Sequence, residues 1–171
     1  MLRLNSMSGQ VDTKQKQLLG SLGAVEKPVK RITEKFNQGV CDAVMELGWS
    51  ALWNVTDEVP KNCEIFVTCG GIDLFLKCKE RLLENSELVR NMVGVLGNLA
   101  ETQTMRSLLM TKEILQELEY LLKSNSEEIS YYTGGILANL ASQGRGCWTI
   151  EYPEREQILL NMVRTIQKMG I

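Results

Sequence analysis

The sequence predicts an all-α chain built as a solenoid of stacked helices, and three observations lead there. The first is internal repetition. Leu52-Trp53-Asn54-Val55-Thr56-Asp57, Leu96-Gly97-Asn98-Leu99-Ala100-Glu101 and Leu137-Ala138-Asn139-Leu140-Ala141-Ser142 share one pattern, with asparagines 44 and 41 residues apart. A period of this length marks stacked supersecondary units, none of which can bury its apolar face alone. The second is a shortage of breakers and of strand-like alternation, with 3 prolines in 171 residues. The third is apolar spacing of three and four residues along the segments between breaks, which marks helices buried on one face.

Taken in order, residues 1–17 are polar, without clear periodicity, and are expected to form a flexible lead-in; the repeat domain is expected over 18–171. From Leu18 to about Phe36 one or two helices are expected, interrupted near Gly23 and Pro28. A long helix from Gln38 to Thr56, carrying Val40, Val44, Leu47, Leu52 and Val55, completes a partial repeat that ends at Asp57. The repeat over 58–101 begins at Pro60, which can open a first helical turn. Its short helix (Lys61–Val67) stops at Gly70-Gly71, where positive φ is free. A second helix follows over Ile72–Leu83, and a third over Glu87–Glu101, capped by Asn85-Ser86.

The repeat over 102–142 has the same order. Its helices are expected over Met105–Met110, Lys112–Leu122 and Glu127–Ser142, with Ile114, Leu115, Leu118, Leu121 and Leu122 on one face of the second. Ser124-Asn125-Ser126 breaks the second helix and caps the third. An incomplete repeat over 143–171 holds Trp148 and a helix over Arg155–Met169 with Ile158, Leu159, Met162, Val163 and Ile166. An uncapped solenoid end exposes apolar surface, so further chain or a partner is expected to cover it. Short, medium and long helices in units of about 42 residues form the armadillo pattern. The expected architecture is therefore a right-handed armadillo solenoid of three to four partial or whole three-helix repeats. Gly94, Gly97, Gly134 and Gly135 fall inside helices, at about 1 kcal/mol each against alanine. Close approach of a neighbouring helix or of a ligand backbone would offset that cost.

Composition removes several function classes. A 44% apolar content suffices for a core, and a net charge of −2 with pI about 5.4 provides no basic field for nucleic acid or an anionic membrane. No apolar run approaches the roughly 18 residues of a spanning helix, and Met1 to Gln17 lacks the apolar core of a secretion signal. Cys41, Cys63, Cys69, Cys78 and Cys147 lack CxxC spacing and are expected to be reduced core residues of a cytoplasmic or nuclear protein. Asn54-Val55-Thr56 fits a glycosylation sequon but lies in an expected helix of a chain without an export signal.

The absence of histidine removes the usual general base and the commonest metal ligand. The Gly144-Arg145-Gly146 and Gly94-to-Gly97 stretches lack the lysine and strand context of a phosphate loop. A non-enzyme without cofactor or metal is expected.

The repeated asparagines are the functional signal. Asp57, Glu101 and Ser142 each stand three residues after an asparagine, so two repeats pair an amide with a carboxylate on one helix face. Asn54, Asn98 and Asn139 would donate to and accept from the backbone of an extended peptide along the concave groove, or else bond neighbouring helices. Trp53 lies one step, about 100°, from Asn54 and would either border that pocket or pack in the core. Trp49, one turn earlier, is expected in the core. Nuclear-import receptors, which are armadillo peptide binders, set a tryptophan four residues before each asparagine. Ser50, Gly94 and Gly135 stand there, so that ladder is missing.

The stretch Ala51-Leu-Trp-Asn-Val-Thr-Asp-Glu-Val-Pro60, with Cys63-Glu-Ile-Phe66 and Gly70-Gly-Ile-Asp-Leu-Phe75, resembles the armadillo region of the Zyg-eleven/Zer-one family. Gly94-Val-Leu-Gly-Asn-Leu-Ala-Glu101, Leu108-Leu-Met110 and Ile129-Ser-Tyr-Tyr-Thr-Gly-Gly-Ile-Leu-Ala-Asn-Leu140 extend the resemblance over about residues 38–169, closer to the Zyg-eleven branch. Members are substrate receptors of cullin-RING ubiquitin ligases whose armadillo groove reads an exposed N-terminal glycine. The resemblance implies that Trp53, Asn54 and Asp57 match one half of the pocket, and Asn98 and Glu101 the other. Asp57 and Glu101 would pair with the peptide's α-ammonium, Asn54 and Asn98 would hold the first peptide units, and Trp53 would exclude a β-carbon.

Asn139 stands where members tend to have histidine in Ala-His-Leu, and makes at most a further groove contact. The family's leucine-rich repeats, its elongin- and cullin-recruiting segment and its later armadillo repeats are absent from this sequence. A fragment or short isoform is expected, joining elongin and cullin only through segments not present here. Two rival readings are an armadillo adaptor for an internal extended peptide and a purely structural repeat.

Overall fold

The computed structural model describes residues 9–82, 85–144 and 154–168. These residues fall into two compact units, one ending at Arg81 and the other beginning at Leu82. Among the described residues every regular element is helical, as the repeat pattern requires, and the fold is of the all-α helical-repeat class.

In the first unit, α1 (Gly9–Leu19) runs into a π-helical turn (Gly20–Ala24) that ends where Gly23 takes φ +89°. Residues 9–17, expected in the flexible lead-in, are thus helical; residues 1–8 of that lead-in lie outside the described residues. Helix α2 (Glu26–Asn37) holds Pro28 in its first turn, where a missing N–H costs nothing, so the break falls at Gly23 alone. Helix α3 (Ala43–Thr56) starts later than its apolar pattern suggested. Asp42 ends the preceding turn and caps α3 by accepting from the backbone N–H groups of Val44 and Met45. Val44 and Leu47, expected on the buried face, are exposed, as is Val40 in the turn before α3. Leu52, Val55 and Trp49 are buried as expected and are joined by Met45, on the side of the helix that packs on α2 with its buried Val29 and Ile32.

Gly48 permits this packing, since a Cβ there would lie 2.9 Å from Ile32 Cγ1. Helix α4 (Pro60–Thr68) has proline at its N-terminus as expected and buries Phe66 edge-on to Trp49, with ring centroids 6.1 Å apart. Helix α5 (Gly71–Leu82) buries Leu74, Phe75 and Cys78. Burial pushes the Cys78 thiol up to about 12. Cys63 is likewise core, but Cys41 and Cys69 are exposed, against expectation; Cys147 and Trp148 lie outside the described residues.

The second unit contains α6 (Ser86–Glu101), a 3-10 turn (Gln103–Met105), α7 (Arg106–Leu109), α8 (Lys112–Leu122), α9 (Glu127–Ala141) and α10 (Glu154–Lys168). Asn85, Thr111 and Ser126 accept from the first-turn N–H groups of α6, α8 and α9. Helix α6 packs along α9, its equivalent one repeat on, and is buried on most of its surface. Ile114, Leu115, Leu118, Leu121 and Leu122 of α8 are all buried, as their spacing predicts. Ser130 binds α9 to the end of α8 by donating to the Leu122 carbonyl. Among the described residues no helix is long and apolar enough to cross a membrane.

Candidate functional site

The candidate residues sit in the last turns of α3, α6 and α9, where backbone carbonyls lack intrahelical partners and helix dipoles attract cations. Asp57 caps α3 in an extended conformation (ψ 123°), and Glu58 then turns the chain away with φ +59°. This left-handed geometry is costly for a residue with a side chain. It places a carboxylate and a main-chain carbonyl at the same helix end.

That end already holds a cation. Lys16 Nζ of α1 lies 3.0 Å from Asp57 Oδ2 and 3.5 Å from the Asp57 carbonyl, with Asp12 Oδ2 at 3.4 Å. Burial works against the Lys16 charge, but the hydrogen bond and charge of Asp57, aided by Asp12, outweigh it and raise the pKa. The Lys16 side chain is 17% exposed and that of Asp57 43%, so the carboxylate remains open to solvent. Asn62, fully buried, holds the arrangement by donating from Nδ2 to the carbonyls of Lys16 (2.9 Å) and Val55 (2.7 Å). Gly20 lies against the same amide, for a Cβ there would be 1.9 Å from Asn62 Oδ1.

Trp49 is fully buried as expected, whereas Trp53 is half-buried. Asn54 is exposed, and its side-chain amide donates to Ser50 O at 2.8 Å, within its own helix. Thr56 is buried and donates to Leu52 O at 2.7 Å. The sequon hydroxyl is therefore turned into the core, while the Asn54 side chain stays on the surface.

In the second unit Asn98 is buried, 7% exposed, and Glu101 is exposed at the end of α6. Arg106, absent from the sequence-derived candidates, ties this end of α6 to that of α9. Its Nε donates to Ala100 O (2.6 Å), Nη1 to Ser142 Oγ (2.9 Å) and Nη2 to Asn139 Oδ1 (3.5 Å). Asn139 thus already serves an internal contact. Lys16 and Arg106 carried no repeat signature. Their only trace in the sequence was the need of each helix C-terminus for a cation. Gly97 and Gly135 face open space, with no atom within 4 Å of the point a Cβ would occupy, and Gly134 would make only ordinary contact, with Leu122 Cδ1 at 3.9 Å. Tight helix packing therefore does not explain these three glycines. Among the described residues no group of His, Cys, Asp or Glu forms a metal site.

Residues 1–170 match the family model described as "Protein zer-1 homolog-like, C-terminal domain". The chain is 44% identical over 162 residues to "Zyg eleven-related protein 1" of Caenorhabditis elegans, covering 94% of this chain and 18% of that protein. It is 40% identical over 169 residues to "Protein zer-1 homolog" of Homo sapiens, covering 98% of this chain and 22% of that protein. The Drosophila melanogaster protein of the same name is 37% identical over 198 residues, covering 98% of this chain and 25% of the relative. The chain thus spans between 18% and 25% of the length of these relatives. With helical repeats in the predicted order and this similarity along nearly its whole length, the chain belongs to the Zyg-eleven/Zer-one family and corresponds to its zer-1-like C-terminal domain.

Proposed function

We propose that this domain is the capture module of a cullin-RING ubiquitin-ligase substrate receptor and binds proteins through an exposed N-terminal glycine. The observation that carries the reading is the ammonium of Lys16 on Asp57, held by a carboxylate oxygen at 3.0 Å and a main-chain carbonyl at 3.5 Å. A peptide's free N-terminus presents the same group, an ammonium with donors to spare. A charge-assisted bond to Asp57 at the negative end of α3 would hold it.

Trp53, half-buried beside this turn, would wall the site against a side chain on the first residue, leaving glycine preferred. Asn54 would exchange its bond to Ser50 for the first peptide unit. Family resemblance assigns the same tasks to Asn98 and Glu101 at the end of α6. The open space over Gly97 and Gly135 suits a ligand backbone. Elongin and cullin would be recruited through parts of the receptor outside this domain, in the cytoplasm or nucleus. An adaptor for an internal peptide segment would depend on the asparagine ladder alone. The amides of Asn54 and Asn139 are engaged by Ser50 and Arg106, which favours the carboxylate-based reading.

Asp57→Ala and Glu101→Ala test it. Each is expected to weaken binding of a glycine-starting peptide by roughly ten- to a hundredfold, with the helical circular dichroism unchanged. Binding undiminished by both changes would remove the mechanism.

A further inference from the structure

We propose that Lys16 is a built-in competitor for the Asp57 site, its ammonium occupying the carboxylate until a peptide N-terminus displaces it. This rests on the glycine-reader function above and adds a control to the same site. Lys16 is anchored through its backbone, because Asn62 Nδ2 donates to its carbonyl at 2.9 Å. The ammonium itself hangs on a flexible four-carbon stem, so it can leave Asp57 while α1 stays docked.

Asp12, one helical turn earlier and 60% exposed, already lies 3.4 Å from the ammonium. After displacement Lys16 stays paired with Asp12, and Asp57 receives another ammonium in exchange. Neither charge is left unpaired in a partly dry site, the costly outcome. Asp57 is 43% exposed, which gives an incoming N-terminus a path to it.

The competition has two consequences. Apparent affinity falls in proportion to the fraction of molecules whose Asp57 is open. Selectivity is enforced as well, because a ligand without an ammonium, such as an acetylated N-terminus, cannot replace what it would remove.

The test measures binding of a fluorescein-labelled decapeptide with a free N-terminal glycine, and of its acetylated twin, to the full chain and to Lys16→Met. Methionine keeps an apolar stem for packing and removes the charge. Lys16→Met is expected to bind the free-amine peptide about three- to tenfold more tightly, while Lys16→Arg remains close to wild type. Unchanged or weaker binding by a folded Lys16→Met, with wild type still preferring the free amine, overturns the inference and leaves the glycine-reader function standing. If neither protein prefers the free amine, that function fails and the inference falls with it. Should Lys16→Met not fold, amine-reactive footprinting of the wild-type chain decides. Lys16 is expected to become more reactive at saturating free-amine peptide, and an equally protected Lys16 in the bound state contradicts the proposal.

Discussion

The side-chain amide of Asn62 donates to the Lys16 carbonyl at 2.9 Å from a fully buried position, and the same nitrogen donates to Val55 O at 2.7 Å. One buried amide thereby fixes α1 against the last turn of α3 and brings a lysine within reach of Asp57. Asn62→Ala takes a donor from the buried Val55 carbonyl, at about 1–3 kcal/mol, and another from the part-buried Lys16 carbonyl. Urea unfolding of this variant is expected to show a loss of about 2–3 kcal/mol. A loss below about 0.5 kcal/mol would mean that water takes over the role of the amide.

The glycines separate into two groups with opposite expected responses. At Gly20, in the π-helical turn, a new Cβ would meet Asn62 Oδ1 at 1.9 Å, so Gly20→Ala must displace the Asn62 amide or the turn itself and lower the melting temperature. At Gly135, mid-helix and exposed with open space around it, alanine is expected to add up to about 1 kcal/mol. Thermal melts of the two variants check both signs, and a destabilised Gly135→Ala would show that the space there is already filled.

These positions also show how much was legible in the sequence. The repeat of Asn54, Asn98 and Asn139 located the long helices to within a residue or two at their C-terminal ends, because side-chain period and caps are local properties. Helix α8 was read to the residue from its apolar spacing and the Ser124-Asn125-Ser126 break that follows it. What the sequence misread were partnerships across distant segments. Val44 and Leu47 share helical apolar spacing with Leu52, but the buried face runs through Met45, Trp49, Leu52 and Val55 because α2 docks where Gly48 lets Ile32 approach. Lys16 was placed in a flexible lead-in, since a polar helix held by one buried amide 46 residues away has no periodic signature.

Cysteine reactivity follows from burial. Cys41 and Cys69 are exposed, whereas Cys63 and Cys78 are core residues, and burial pushes the Cys78 thiol up to about 12. Thiolate is the reactive form. Iodoacetamide at pH 8, followed by peptide mass spectrometry, is expected to label Cys41 and Cys69 in the folded protein and to spare Cys63 and Cys78. Labelling of Cys78 at a rate matching Cys41 would contradict this account of the core.

Two ion pairs set opposite edges of the pH–stability profile. The Lys16 pKa is raised in the folded state, because Asp57 and Asp12 outweigh the opposing effect of burial. Its contribution is fully present below the unfolded lysine pKa of about 10.4 and is lost as pH rises through the higher folded value. The Asp42 pKa is lowered, chiefly by its hydrogen bond to Lys35, with the N–H groups of Met45 and Val44 helping against burial. Its contribution is present above about pH 3.9 and disappears as pH falls through the lower folded value. Unfolding at fixed temperature across pH 2–11 is expected to show that Lys16→Met flattens the alkaline edge. Asp42→Asn, which preserves a capping oxygen, is expected to flatten the acid edge. Unchanged edges in both variants would show that these pairs do not couple to folding.

The central claim, that Asp57 receives a peptide's N-terminal ammonium, is tested most directly by fluorescence polarisation with one glycine-starting peptide in free-amine and N-acetylated forms. The account predicts saturable binding of the free amine and at least a tenfold weaker response from the acetylated twin. Equal binding of the two by a chain with full helical circular dichroism would contradict it and point to recognition of an internal segment.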